Sequence, residues 1–306
     1  MAQSKTLLRI ASEYEAELTR LEDEAIARLN KSIEEAYKKL VSQINKKYPD
    51  LEQNLSLLPA QREALLAEQL GGLLNIIDPE DSKEYQSMFR GLIGDSHRIG
   101  GESVEEMIRA IDPDFDAGSF ARLPVKAVNL AAQNAYQRLQ RHGDDFALKA
   151  SQVISQGIAL GWGNRRIAGV IKQQTGNTRR NAEMVARTET ASAMVGATKE
   201  RYTESGINYV IWITALREVC PWCVWKAGKI YRTEEVVIPQ HPWCRCSVIP
   251  ITPQWARDGL IDFDTIEAQS KKVREALKGQ PKSTKAPFEA IAPKAITIEE
   301  LRRKRG

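Results

Sequence analysis

Histidine and cysteine are scarce in this chain: 3 and 4 among 306 residues. Four cysteines in a cytosolic chain more often mean metal or redox chemistry than a structural disulfide framework. No run of 18 apolar residues exists, which argues against a membrane span. The opening stretch MAQSKTLLRIASEYEAEL lacks an apolar signal core and a cleavage site, so secretion is not expected. No internal repeat is visible. A large surplus of one charge is missing too, since the net charge is only +4. The charge is uneven, however. Residues 1–160 carry 19 Lys+Arg against 25 Asp+Glu, residues 161–250 carry 13 against 7, and residues 251–306 carry 12 against 8. The basic second half permits an acidic partner or nucleic acid without requiring either.

What is present is mostly helical pattern. The 42% apolar and 27% charged content is that of a globular chain. Leu7, Ala11, Tyr14, Leu18, Leu21 and Ala25 form a heptad seam, and Leu29, Ile33, Leu40 and Ile44 continue it after a four-residue slip. The spacing predicts one helix over 5–47, ended by Pro49. It reads as a projecting arm or coiled coil, or as a helix folded back on its own bundle. Further helices are predicted at 59–77, 81–98, 102–112, 125–141, 144–160, 163–174 and 178–204, separated at Gly/Asn/Pro punctuation. INYVIWIT (207–214), KIYRT, EVVIP and CSVIPI read as short strands. A helix is predicted at 264–278. The run 279–295 reads as an extended linker, and the chain then ends in a basic tail. The expected fold class is mainly α with a small zinc-stapled β-rich unit (α+β) and a long N-terminal helical arm. The expected divisions are 1–120, 121–206, 207–250 and 251–306.

The rare residues cluster as Cys220-x2-Cys223-x17-His241-x2-Cys244-x-Cys246. Zinc takes four tetrahedral donors from cysteine thiolate and histidine nitrogen, and a Cys-x2-Cys turn aims two sulfurs at one point. Five candidates compete for four places. The first choice is Cys220, Cys223, His241 and Cys244, with Cys246 as the competitor; an all-cysteine site is the alternative. A β-rich unit of about 45 residues buries too little apolar surface to hold itself, so a metal staple makes sense. Four protein ligands close the coordination sphere, which disfavours catalysis at the metal. Against this stand three other readings. CPWC can be a thiol-disulfide oxidoreductase pair, with VIP at 237–239 as its proline loop, but such enzymes need a βαβ unit between the two. A metal-dependent nuclease needs more histidines than this window holds. The cysteines can also be reduced, buried and metal-free. Four tryptophans, Trp212, Trp222, Trp225 and Trp243, are expected to pack the small unit rather than stack bases.

Three motifs carry a resemblance: Arg187-Thr188-Glu189 in VARTETASAMVGATKERYTESGI, CPWC followed by Gly228, and HPWCRC at 241–246. In that order, and preceded by GWGNRRIAGVIKQQTG at 161–176, they resemble the Mu F-like head morphogenesis proteins, the minor head proteins of tailed phages. The resemblance covers about 150–250. The family usually carries an Asp shortly before the first cysteine, where this chain has Arg217-Glu218. The resemblance implies a non-enzymatic virion protein of low copy number, assembled in the host cytoplasm and placed at the portal or inner head. Its implied partners are the portal protein, other head proteins and packaged DNA, with a role in packaging or delivery. It makes 121–206 the helical part of the minor-head-protein core. The long N-terminal helix is then expected to attach to the portal or to further copies of itself.

Glu189 falls on an apolar stripe with Ala182, Val185, Ala186, Ala193 and Ala197. A carboxylate there needs a donor from another segment, because Arg187, two residues away, points elsewhere. Arg302, Arg303, Lys304 and Arg305 are candidate contacts to DNA phosphates, or simply a solvated tail. A free-standing zinc module that binds nucleic acid is the remaining alternative function.

Overall fold

The computed structural model describes residues 2–47, 81–116, 125–160, 162, 164–214, 220–276 and 294–304. The helix expected at 59–77, the stop at Pro49, Arg217-Glu218, most of the 279–295 linker and Arg305 lie outside them. The elements run α1 (Ala2–Lys47), α2 (Asp81–Ile111), α3 (Val125–Ala159), α4 (Asn164–Glu204), β1 (Tyr209–Ile213), α5 (Pro221–Lys226), β2 (Ile230–Arg232), a 3-10 turn (Thr233–Glu235), β3 (Ser247–Ile251), α6 (Pro253–Arg257), α7 (Phe263–Ala276) and α8 (Ile298–Arg303). The fold class is mainly α with a small antiparallel sheet, and the long N-terminal helix is present.

Several expected breaks are continuous helix. Gly100-Gly101, Gly143 and Gly176-Asn177 all sit inside helices rather than between them. A mid-helix glycine costs only about 1 kcal/mol against alanine, which packing outweighs. Gly100 also has a specific reason: a Cβ there would overlap the Met194 carbonyl, so the glycine lets α2 lie directly on the α4 backbone. Thr175 and Thr178 donate their hydroxyls to the Lys172 and Gln174 carbonyls, so both are satisfied within the helix that runs past the predicted TGN stop.

The chain forms two compact units. The first comprises 1–21, 92–128 and 187–306, and the second 22–91 and 129–186. In the second, Leu40 and Ile44 of α1 pack with Phe146, Ala150, Ile154, Ile167 and Ile171. In the first, Leu7, Ile10 and Ala11 join a core with Val104, Ile108, Tyr202 and the sheet, while Leu18 meets Ile99 and Met194. The heptad seam of α1 is thus used inside the chain. Of the two readings of α1, these contacts are those of the helix folded back on its own chain, because its apolar residues find partners in cis.

The sheet order is β2-β1-β3, with β1 central and antiparallel to both neighbours. Val210, Ile211, Trp212 and Ile213 are all buried, so both faces of β1 are covered, which explains its unbroken apolar character. Pro250 sits on the edge strand β3, where its missing N–H leaves no gap in the ladder. EVVIP is not a strand: its start closes the 3-10 turn and the rest is extended without a pairing partner among the described residues.

The basic tail is also corrected. Ile296 N–H donates to the Ile230 carbonyl at 2.9 Å, and α8 follows with a capping box between Thr297 and Glu300. Leu301 is fully buried, and Arg302 Nε donates to the Ala256 carbonyl at 3.0 Å. Leu301 and the cap energy hold residues 296–304 on the sheet and α6, where the basic composition suggested open chain.

Candidate metal centre

Cys220 is the N-cap of α5, with φ −73° and ψ 155°, and Pro221 follows at the first helical position. The Cys220 sulfur accepts the Cys223 N–H at 3.3 Å. One helical turn therefore brings the two CPWC sulfurs to the same place. The thiol of Cys220 is lowered to about 6, first by its hydrogen bond with Cys223 and further by the backbone donor and the nearby His241. A thiolate at a helix N-terminus is favoured on the same grounds.

The second pair arrives on a turn. Cys244 N–H donates to the His241 carbonyl at 3.2 Å, and Trp243 between them adopts φ 69°. This left-handed backbone is uncommon for a bulky residue. Two contacts hold it: Trp243 N–H reaches Thr188 Oγ1 at 3.4 Å, and the Arg187 guanidinium lies 5.9 Å over the Trp243 ring. Arg187 and Thr188 of α4 thus brace the His241–Cys244 turn. Glu189 is buried, at 9% exposure, as its place on the apolar stripe requires.

The two turns converge on Cys223. Its sulfur lies 3.6 Å from His241 Nε2 and 3.9 Å from the Cys244 sulfur. Donor atoms of Cys220, Cys223 and His241 lie within 4.8 Å of one another, and so do those of Cys223, Cys244 and Cys246. Bonds of about 2.3 Å to sulfur and about 2.0 Å to nitrogen around a tetrahedral centre separate donors by roughly 3.5–3.8 Å; the two Cys223 distances, 3.6 and 3.9 Å, are close to that, and Cys223 is the donor that the two groups of three share. The four cysteines are free thiols. His241 Nδ1 sits 2.6 Å from the Pro242 carbonyl. Donation there leaves the Nε2 lone pair directed at the cluster, the usual arrangement of a metal-ligating histidine.

The thiols differ in how their ionised forms are supported. Cys244 is held far below its ordinary value, first by hydrogen bonding from Cys223 and then from Cys246, with the Gln240 and Cys246 backbone N–H groups also facing it. Cys223 is pushed up, because it supplies the protons its neighbours accept. Cys246, almost fully buried, is also raised. Four thiols this close cannot all ionise without a cation between them.

Of the other expected site residues, Arg302 is engaged with Ala256, Arg303 is exposed, and Lys304 lies 5.8 Å over the Tyr209 ring. Trp222 and Trp225 stack at 5.9 Å, and Trp212 is buried in the sheet, so these tryptophans pack as expected. Lys226, which sequence reasoning passed over, is 3% exposed on the helix that carries Cys223. Gly228 has φ 77°, and a Cβ there would sit 2.6 Å from Ser270 Oγ. No βαβ crossover accompanies CPWC among the described residues; the strands around it are antiparallel.

Residues 149–249 match the family described as Phage Mu protein F like protein. No curated protein matches the chain, and no solved structure does. The matched stretch contains the Arg187-Thr188-Glu189 triplet and all five donors. By that match the segment from 149 to 249, a third of the chain, is similar to the Phage Mu F-like family.

Proposed function

We propose that this is a structural minor head protein of a tailed phage, bound at the portal or inner head, with its Phage Mu F-like domain closed by one structural zinc ion. The observation that carries the reading is the family match over the segment in which the triplet, CPWC and HPWCRC meet in one place. Cys220, Cys223, His241 and Cys244 are the ligands, and Cys246 is the buried thiol left beside them. Cys220 and Cys244 receive backbone N–H donors, Cys223 joins both turns, and His241 presents Nε2. Such a set closes the metal's sphere and leaves no position for a substrate, which suits a staple rather than an enzyme. A dithiol oxidoreductase would need the missing crossover and a resolving pair left free of other donors.

The apolar seam of α1 is occupied within the chain, so the portal contact falls on other surfaces. Arg303 and Lys304 remain candidates for contact with packaged DNA. Co-expression with the phage's portal protein, followed by size-exclusion chromatography and mass spectrometry of purified virions, tests the reading. A portal complex and a few copies per virion are the expected result. A protein that ignores portal, is absent from virions and binds DNA with a steep salt slope would instead be the nucleic-acid module.

A further inference from the structure

Lys226 is a charge in an unusual place. It ends α5, one turn after Cys223, and is 3% exposed. Its ammonium lies 4.5 Å from the Trp212 ring centre, 4.7 Å from Trp222 and 5.8 Å from Tyr231. Its hydrogen-bond acceptor among the described residues is the neutral Gln240 amide oxygen, at 3.2 Å. Among the described residues no carboxylate pairs with it. Three ring faces and an amide repay only part of the cost of burying an ammonium. Lys226 stands one helical turn from Cys223, and its acceptor Gln240 directly precedes His241, so the anions it can meet are thiolates of the cysteine cluster.

We propose that Lys226 is the built-in counter-cation of the metal centre and matches it to three thiolates and one imidazole. This rests on the reading that the centre holds zinc. The charge count favours that set. A divalent ion with three thiolates and one neutral histidine carries one negative charge, which a single buried ammonium cancels. Two thiolates with two neutral donors would leave the ammonium uncompensated, and four thiolates would leave a buried negative charge. The ring cage keeps water and competing anions from the ammonium, so its field acts on the sulfurs in a low dielectric. Lys226 thus acts through the ligands rather than as one of them.

The test uses the full chain with Zn2+ and Co2+ alone. Zinc affinity is measured by competition with a chromophoric chelator for wild type, Lys226→Met, Lys226→Gln and Lys226→Arg. Loss of the charge is expected to weaken zinc binding about 10–100-fold in the Met and Gln variants, with Lys226→Arg restoring most of it. The thiolate-to-cobalt charge-transfer absorption of wild type is expected to have the strength of three sulfur ligands. A purely structural role would lower the thermal stability of the metal-free and metal-loaded forms alike and leave affinity unmoved. Unchanged affinity in folded Lys226→Met and Lys226→Gln overturns the proposal, as does four-sulfur absorption. If wild type binds no metal, the zinc reading itself fails, an outcome distinct from normal binding by the variants.

Discussion

Gly228 shows what one position demands. Its φ of 77° and the 2.6 Å that would separate an added Cβ from Ser270 Oγ both forbid a side chain. Gly228→Ala is expected to destabilise the chain by about 2–3 kcal/mol, adding left-handed strain to overpacking; urea unfolding at constant slope checks it. Trp243 is the opposite case, a large residue held at φ 69°. Removing the brace with Thr188→Val is expected to cost about 1 kcal/mol through the orphaned Trp243 N–H, again read from the denaturation midpoint. At this scale the sequence exposed the donors, because cysteine and histidine are rare and their spacing is chemical. It did not expose Lys226, one of 44 basic residues, whose meaning comes from three rings contributed by β1, α5 and β2.

Among elements, the capped α8 shows where a local signal was present and outweighed. Thr297-Ile298-Glu299-Glu300 is a capping-box pattern, with Glu300 N–H to Thr297 Oγ1 at 3.1 Å and Thr297 N–H to Glu300 Oε2 at 2.9 Å. The basic residues after it and the Pro/Lys run before it dominated the reading. Thr297→Ala is expected to cost about 1 kcal/mol and to raise amide exchange at Ile296 and Leu301, which hydrogen-exchange mass spectrometry resolves. The long helices were legible in position, since their apolar periodicity is strong. Their unity was not, because glycines at 100, 143 and 176 read as punctuation until packing supplies a reason to continue. β1 and β3 were legible from β-branched runs. EVVIP has the same composition and no partner to pair with, and partner choice is a tertiary property.

For the whole molecule, the proposed zinc is expected to be the largest single lever. The sheet joins the core that holds Leu7, Ile108 and Tyr202, so loosening the 220–246 segment is expected to reach the first unit as a whole. Stripping zinc with a strong chelator is expected to lower Tm by at least about 5 °C, with recovery on adding Zn2+ back; calorimetry measures it. Acid acts in the same direction. The Cys220 thiol is depressed from 9.0 to about 6, so its thiolate contribution is full above the unfolded value, declines as pH falls between the two, and is lost once pH has fallen through about 6. A last consequence concerns time rather than energy. Ser4 Oγ accepts the Asp262 N–H at 2.7 Å, and Leu7, Ile10 and Leu301 share one core. The beginning of α1 therefore waits on the ribosome for partners made some 250–300 residues later. Val104 and Ile108 can cover part of its apolar face earlier, but the rest stays bare during that interval, and this is when a chaperone or a neighbouring nascent chain has its opportunity.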